Sequence, residues 1–186
     1  ITVKDLGDHS RDLINLRPGT RVFMEGPYGA FTKNRATRKH VLLVGGGVGI
    51  TPIRAIAEEF GDTVNMDLIY RVSDESELVL KDELDYLADR SGGALKVHYL
   101  IGSRHQHPIN VKTLQRIVPA LADSDIYVCG PTGLVDSVVK AAIGAAISRW
   151  MGWKLDKKTA REIAMPKGLP YLKGFVLYFS LKAQAA

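Results

Sequence analysis

The sequence has little of several features that would assign it to common classes. Its 186 residues hold a single cysteine, Cys129, which excludes an internal disulfide and a multi-cysteine metal site. No apolar run approaches the roughly 18 residues that a membrane-spanning helix needs. The net charge of +5 comes from scattered basic residues, which argues against nucleic-acid binding. His105 and His107 have no companion ligands nearby in the sequence, so we expect no metal site.

Familiar catalytic and phosphate-binding motifs are also missing. A Walker loop would need Gly-Lys followed by Ser or Thr, and no such triplet follows the main glycine cluster. The dinucleotide fingerprint Gly-x-Gly-x-x-Gly has Ile50 where its third glycine should stand. Neither a Gly-x-Ser-x-Gly turn nor a carboxylate pair at catalytic spacing points to a hydrolase. The glycine cluster itself therefore carries most of the functional information.

That cluster lies in a stretch, Val41–Pro52, that is typical of a buried strand turning sharply into a helix. Val41–Val44 is short and apolar, like a strand that is buried on both faces. Four glycines would let the backbone approach a ligand closely: Gly45, Gly46, Gly47 and Gly49. Thr51 offers a hydroxyl near the predicted helix start, and Pro52 is predicted at the first helical position.

Apolar residues after the turn repeat with helical spacing. The positions that share one helix face are Ile53, Ile56, Ala57 and Phe60. The free N–H groups and the positive dipole end of this helix would point into the turn and favour a diphosphate. The alternative is a glycine loop that only permits tight packing of strand against helix. Because an apolar strand precedes the turn and an amphipathic helix follows it, we favour nucleotide binding.

From His40 onwards, alternating strand and helix patterns predict an α/β domain with a doubly wound parallel sheet. The strands are predicted at Val41–Val44, Met66–Tyr70, Leu95–Ile101 and Ile126–Cys129. The helices are predicted at Ile53–Phe60, Leu80–Arg90, Val111–Val118 and Gly133–Ile147. Residues before His40 instead resemble part of an antiparallel unit. Its predicted elements are strands at Ile1–Lys4 and Arg21–Glu25 and a short helix at Ser10–Leu16.

Residues directly after the strands are candidate ligand contacts, because parallel sheets bind ligands at the carboxyl ends of their strands. Arg71 follows the second strand, and Ser103-Arg104 follow the third. They lie near the glycine turn if these two strands flank the first. Two guanidinium groups and a hydroxyl suit a 2′-phosphate, which favours NADPH over NADH. In the alternative, both arginines are solvated and pair with an acidic residue: Asp74, Glu75 or Glu77.

Three motifs in this order resemble the ferredoxin–NADP reductase superfamily: Gly26-Pro27-Tyr28-Gly29, Gly45-Gly46-Gly47-Val48-Gly49-Ile50-Thr51-Pro52 and Cys129-Gly130-Pro131. With Glu77–Leu84, the sequence is most similar to the flavodehydrogenase part of membrane ferric reductases and NADPH oxidases. The resemblance covers residues 1–149. It implies a C-terminal remnant of an FAD-binding β-barrel at 1–36, an NAD(P)H-binding domain at 37–149, and an atypical tail at 150–186.

The resemblance also implies roles for single residues. In that family the glycine turn, here Gly45–Pro52, holds the pyrophosphate of the pyridine nucleotide, with Thr51 close to its nicotinamide end. Cys129, followed by Gly130 and Pro131, would sit beside the nicotinamide ring near the hydride path. Ser103 and Arg104 stand where NADP-specific members carry a Ser-Arg pair. A further pair would form a second flavin-phosphate element: Gly7 and Ser10.

The implied activity is hydride transfer from NADPH or NADH to FAD, with electrons passed on to a haem, iron or oxygen acceptor. The family's main flavin motif, Arg-x-Tyr-Ser/Thr, is absent, so we expect FAD in the full-length protein only. The implied partners are a flavin domain and a haem-bearing membrane domain upstream. We expect the full-length protein at the cytoplasmic face of a membrane and this chain itself to be soluble.

Two alternatives stay open. Without its flavin half, the chain would be a nucleotide-binding or regulatory module with no turnover of its own. The segment Phe175–Phe179 is either the terminal strand, with Phe179 as the aromatic residue that meets the flavin, or a surface segment or non-native tail.

Overall fold

The computed structural model describes residues 5, 7–23, 31–151 and 175–180 of the chain. It divides into two compact units, residues 1–30 and 31–186. In the first unit, helix α1 spans Asp8–Asp12 and continues as a 3₁₀ turn at Leu13–Asn15. The short helix predicted here therefore begins earlier than its predicted start at Ser10.

The strand predicted at Arg21–Glu25 is wrong for its described part. Arg21–Phe23 form no regular secondary structure, and Val22 and Phe23 are 61% and 94% exposed. Alternating hydrophobicity makes a strand only where a neighbouring strand supplies backbone hydrogen bonds, and the described part of this unit contains no such strand. Met24, Glu25, the strand predicted at Ile1–Lys4 and the Gly26–Gly29 motif lie outside the described residues.

The second unit is built on a five-stranded sheet in the order β3-β2-β1-β4-β5. The strands are β1 (His40–Gly46), β2 (Asn65–Val72), β3 (Leu95–Ile101), β4 (Ser124–Gly130) and β5 (Phe175–Ser180). The first four strands run parallel to one another, whereas β5 pairs antiparallel to β4. The segment left open between a strand and a surface tail is thus a strand at the edge of the described sheet.

Helices connect the parallel strands, as the sequence predicts. A 3₁₀ turn at Gly47–Gly49 leads from β1 into the first of them. The helices of this unit are α2 (Ile50–Phe60), α3 (Lys81–Arg90), α4 (Val111–Ile117) and α5 (Thr132–Met151). Pro52 is the third residue of α2 and not the first. The ring is tolerated there because N–H groups in a first helical turn have no intrahelical acceptor.

The core lies on both faces of the sheet. On one face, Leu43 of β1 packs in a cluster with Ile53 of α2 and Leu84 of α3. On the other, Val44 packs in a cluster with residues of α4 and α5. Four consecutive residues of β1 are at most 1% exposed: Val41, Leu42, Leu43 and Val44. The prediction of a strand buried on both faces is therefore confirmed, as is the doubly wound arrangement.

The lateral order of the strands corrects one expectation. β1 is flanked by β2 and β4, and β3 lies beyond β2. The chain moves outward from β1 through β2 to β3 and then returns to the other side of β1. Sequence periodicity defines each strand but not its neighbours. The condition under which Ser103 and Arg104 would lie near the glycine turn, with the second and third strands flanking the first, is therefore not met. The order reverses between β1 and β4, and this switch point is where such sheets bind ligands.

Candidate functional site

The carboxyl ends of β1 and β4 meet at the switch point. Gly45 of β1 lies opposite Cys129 of β4 in the parallel ladder. The turn after β1 and the chain from Gly130, the last residue of β4, into Pro131 therefore leave the sheet side by side. The structure thus brings together two motifs that are far apart in the sequence.

Close packing leaves little room at two glycines, Gly46 at the end of β1 and Gly49 in the 3₁₀ turn. A Cβ atom on Gly49 would overlap the carbonyl group of Cys129 and lie 2.9 Å from the backbone nitrogen of Gly130. A Cβ atom on Gly46 would lie 2.5 Å from Cδ2 of Leu134 and 3.1 Å from Cδ of Pro131. The turn is pressed against the end of β4, which leaves no room for side chains on this side.

Gly47 differs from these two glycines. Its φ of +54° lies in the left-handed region, and nothing lies within 4 Å of the position its Cβ would take. At this point the backbone bends away from the packed side and faces open space. Tight packing thus accounts for Gly46 and Gly49, whereas Gly47 leaves room for a ligand to approach.

The amino end of α2 follows directly. The N–H of Ile50, its first residue, donates to the carbonyl oxygens of Gly47 and Val48 in the preceding 3₁₀ turn, so the helix continues that turn. The helix dipole makes this end attractive to anions. Thr51 Oγ1 donates a hydrogen bond to the carbonyl oxygen of Val48 at 3.1 Å. Its hydroxyl thus stabilises the turn and keeps its oxygen lone pairs as acceptors. Ile50 is fully buried and fixes the start of the helix in the core.

Cys129 lies at this junction with 4% of its surface exposed. Burial raises the pKa of its thiol to about 11, because the interior disfavours the thiolate. The sulfur is therefore a neutral thiol at physiological pH and not a prepared nucleophile. Its role beside a nicotinamide ring, and that of Thr51, stays a prediction.

Arg71, at the end of β2, points its guanidinium group at a neighbouring loop. Nη1 donates to the carbonyl oxygen of His107 at 2.6 Å, and Nη2 reaches that of Gly102 at 3.5 Å. Partial burial lowers the pKa of the guanidinium group, although arginine remains charged at physiological pH. Arg104 is exposed and makes no hydrogen bond or ion pair with another residue that the structure describes. Ser103 is exposed beside it.

The acidic residues nearby are engaged within their own loop. Asp74 Oδ1 accepts hydrogen bonds from the backbone N–H and the hydroxyl of Ser76, which hold the pKa of this carboxyl below its ordinary value. Glu77 Oε2 accepts from the Ser73 N–H at 3.0 Å. Within the described chain none of the three acidic residues, Asp74, Glu75 and Glu77, forms an ion pair with Arg71 or Arg104. The alternative in which these arginines are neutralised by the acidic loop therefore lacks its ion pairs.

Gly7 and Ser10 belong to the first unit. Gly7 has φ +145° and immediately precedes α1, and its carbonyl oxygen accepts a hydrogen bond from Ser10 Oγ at 2.9 Å. Their assignment to a flavin phosphate stays a prediction.

Two contributors were missed by sequence reasoning. Leu134 of α5 packs against Gly46 and Gly130, where an added Cβ atom would lie 2.5 and 3.1 Å from its Cδ2. Gln106 closes the loop after β3, because its side-chain oxygen accepts a hydrogen bond from the Ser103 N–H. A polar residue following a Gly-Ser pair at a strand end is the signal that could have indicated such a closed loop.

Comparison with known proteins decides the family. The sequence profile of the family described as "Oxidoreductase NAD-binding domain" matches residues 43–140. The chain belongs to this family. Its matched part spans β1 to α5 and contains the glycine turn, Arg71 and Cys129. The prediction of a ferredoxin–NADP reductase type of nucleotide-binding domain is thereby confirmed.

Individual relatives agree. The chain is 28% identical over 155 residues to NADH-cytochrome b5 reductase 1 of Candida glabrata, covering 77% of this chain and 54% of the relative. It is 29% identical to the plasma membrane-associated coenzyme Q6 reductase of Saccharomyces cerevisiae, covering 81% and 49%. The cytochrome b5 reductase domain of Ulva prolifera nitrate reductase has the same fold, with a TM-score of 0.59 at 22% identity over 80% of this chain and 63% of that one.

The chain spans about half the length of the curated relatives it matches. Among the residues that the structure describes, no helix combines the length and the hydropathy needed to cross a bilayer.

Proposed function

We propose that this chain is the NAD(P)H-binding part of a flavin-dependent reductase and binds its nucleotide at the switch point between β1 and β4. The observation that carries the proposal is that three glycines after the buried part of β1, Gly46, Gly47 and Gly49, have different surroundings. Gly46 and Gly49 press the turn against the end of β4, while Gly47 faces open space at the amino end of α2. The family match covers all of these residues.

A pyrophosphate fits this place for physical reasons. It needs backbone that approaches closely, N–H donors and a positive field, and a left-handed glycine before a helix offers all three. Gly45–Pro52 would hold the pyrophosphate, with Gly130 and Pro131 forming the opposite wall. No lysine is required, because the helix end itself supplies the positive potential.

The nicotinamide would lie toward Thr51 and Cys129. The bound nucleotide would supply hydride-transfer chemistry there. The residues of this chain would orient the ring and exclude water. Because its thiol stays neutral, Cys129 would bring no fixed charge to the ring. Thr51, bound to Val48, would present oxygen lone pairs from a fixed position.

The adenosine end would extend across the ends of β2 and β3. Ser103 and Arg104 are exposed there, and Arg104 has no partner among the described residues, so it is available to a 2′-phosphate. This supports NADPH ahead of NADH. The relatives named above include an NADH enzyme, so the choice is a direct experimental question.

For the full-length protein, we extend the proposal to FAD and to a haem, iron or oxygen acceptor beyond it. The names of the relatives support this direction, since they include reductases of cytochrome b5 and of coenzyme Q6. The first unit, residues 1–30, would belong to the flavin domain, with Gly7 and Ser10 at a flavin phosphate. Residues 31–36, which the sequence assigns to the same remnant, lie in the second unit. Association with the cytoplasmic face of a membrane is supported by the plasma membrane-associated relative.

The test is isothermal titration calorimetry of the chain with NADPH and NADH. We expect Arg104→Ala to weaken NADPH about tenfold, as the loss of one charge-assisted contact would, and NADH less than about threefold. Arg116→Ala, at an exposed arginine of α4, is the control and should change neither. Equal losses for both nucleotides would contradict the 2′-phosphate contact. Binding of neither by the wild-type chain would overturn the proposed site.

Turnover is tested separately by adding FAD and following NADPH oxidation by its absorbance. Oxidation that requires FAD supports the reductase. Binding without oxidation would favour the alternative, a nucleotide-binding module without turnover of its own.

A further inference from the structure

We infer that Arg71 is a positioning residue, which holds the loop Gly102–His107 in shape so that Arg104 can meet the nucleotide. The effect of Arg71 on nucleotide binding rests on the proposed function, whereas its effect on the shape of the loop rests on contacts within this chain. It changes the assignment made from sequence, in which Arg71 and Arg104 both contact a phosphate.

The ends of β2 and β3 bring Arg71 next to this loop. In the parallel ladder Arg71 lies opposite Leu100, and Val72 lies opposite Ile101. The ladder continues for one step, because the N–H of Gly102 donates to the carbonyl oxygen of Val72 at 3.0 Å. The loop therefore starts from a fixed point beside the side chain of Arg71.

The guanidinium group bridges both ends of the loop. Its two terminal nitrogens face the carbonyl oxygens of His107, the last loop residue, and Gly102, the first, at 2.6 and 3.5 Å. A planar guanidinium reaches the two carbonyl oxygens from two separate nitrogens in a fixed plane, whereas a lysine would have to reach both from one ammonium nitrogen on a flexible stem. Two of the five N–H groups are thus directed at the backbone of this chain, and they fix the plane of the others.

The interior of the loop is closed by a second set of bonds. The Ser103 N–H donates to Gln106 Oε1 at 2.8 Å, and the Gln106 N–H faces Ser103 Oγ at 3.3 Å. The N–H groups of Gln106 and His107 both lie 3.1 Å from the carbonyl oxygen of Ser103. Gly102 has φ +123°, and a Cβ there would lie 2.8 Å from Gln106 Oε1. The loop is therefore a tight turn that is stabilised by hydrogen bonds from the Arg71 side chain outside it and by hydrogen bonds of Gln106 within it.

Arg104 projects from this closed turn as an exposed residue. A ligand gains more from a side chain whose backbone is already ordered, because less entropy is lost on binding. Arg71 would thus raise the affinity for a 2′-phosphate through Arg104 without a contact of its own.

The first experiment measures amide hydrogen exchange of the whole chain without any nucleotide. Arg71→Lys and Gln106→Ala should each speed exchange of the backbone amides at positions 106 and 107 about tenfold or more, since each removes a hydrogen bond that holds the loop. Exchange in the β1 amides should stay unchanged, which shows that the domain is folded. Arg90→Lys, at an exposed arginine of α3, is the matched control. Unchanged loop exchange in Arg71→Lys would overturn the inference.

The second experiment is a double-mutant cycle on the ratio of the NADPH and NADH dissociation constants. If Arg71 acts through Arg104, Arg71→Lys lowers the preference for NADPH in the wild type but has no further effect in Arg104→Ala. Gln106→Ala should lower the preference in the same direction, although a neutral amide offers no charge to a phosphate. A loss from Arg71→Lys that persists at full size in Arg104→Ala would show direct contact and overturn the inference.

The two readouts separate the inference from the proposed function. If loop exchange rises in both variants but the wild type binds neither nucleotide, the proposed function fails, and the role of Arg71 in shaping the loop is retained. If the nucleotides bind but loop exchange is unchanged in both variants, the role of Arg71 in shaping the loop fails and the proposed function is retained.

Discussion

Replacing Gly49 with alanine is expected to separate the glycine turn from the end of β4. The added methyl group would overlap the carbonyl group of Cys129 and crowd the Gly130 nitrogen. These are backbone atoms, and the parallel ladder holds them by pairing Cys129 with Gly45. No side-chain rotation can relieve the overlap, so either the start of α2 or the end of β4 must shift.

The magnitude follows from the rigidity of these neighbours. Overpacking a core costs about 1–3 kcal/mol, and a collision with backbone belongs at the upper end, about 3 kcal/mol. Alanine restricts the unfolded chain more than glycine does, which offsets about 0.4–1 kcal/mol. A net loss of about 2–2.6 kcal/mol lowers the melting temperature of a domain of this size by roughly 4–10 °C.

Two other glycines serve as controls in the same thermal and urea unfolding experiments. Gly133 is exposed near the start of α5 with open space at its Cβ position, so Gly133→Ala should be neutral or stabilising by up to about 1 kcal/mol. Gly47 has the same open space but φ +54°, so Gly47→Ala should lose about 1–2 kcal/mol from backbone strain alone. A melting temperature for Gly49→Ala equal to that of Gly133→Ala would refute the packing argument.

Two further predictions concern buried groups. Asp125 is fully buried and accepts hydrogen bonds from the backbone N–H groups of Thr37 and Arg38, so Asp125→Ala should lower the free energy of unfolding by about 2–4 kcal/mol in urea. Asp123→Ala, at a half-exposed carboxylate 3.5 Å from Arg38, should cost under about 1 kcal/mol, and equal losses would contradict the argument. The Cys129 pKa of about 11 predicts that alkylation stays slow through about pH 9 and rises toward about pH 11. Because the pKa of this thiol is raised in the folded state, its contribution to the free energy of unfolding is complete below about pH 9 and is lost as the pH rises toward about 11. An alkylation rate that titrates near the ordinary thiol pKa would refute the effect of burial.

Local patterns in the sequence determined the elements and their buried faces. The strand Leu95–Ile101 has its predicted bounds, and the predicted inward face of α2 is buried. Strand and helix periods are properties of neighbouring residues, so a single sequence reveals them. The same reasoning failed at Arg21–Phe23, where alternation is present but the described part of the unit offers no neighbouring strand.

Only the tertiary structure shows the order of the strands and the separate roles of the residues at the site. The sequence predicts one turn for all four glycines, whereas Gly45 and Gly46 end β1 and only Gly47 and Gly49 lie in the turn. Only the contact with Cys129 shows that Gly49 is packed while Gly47 faces open space. The sequence also placed Arg71 at a strand end, but only the pairing of β2 with β3 shows that its guanidinium group binds the loop backbone. These outcomes depend on residues that are distant in the chain and adjacent in space, and no local period encodes such contacts.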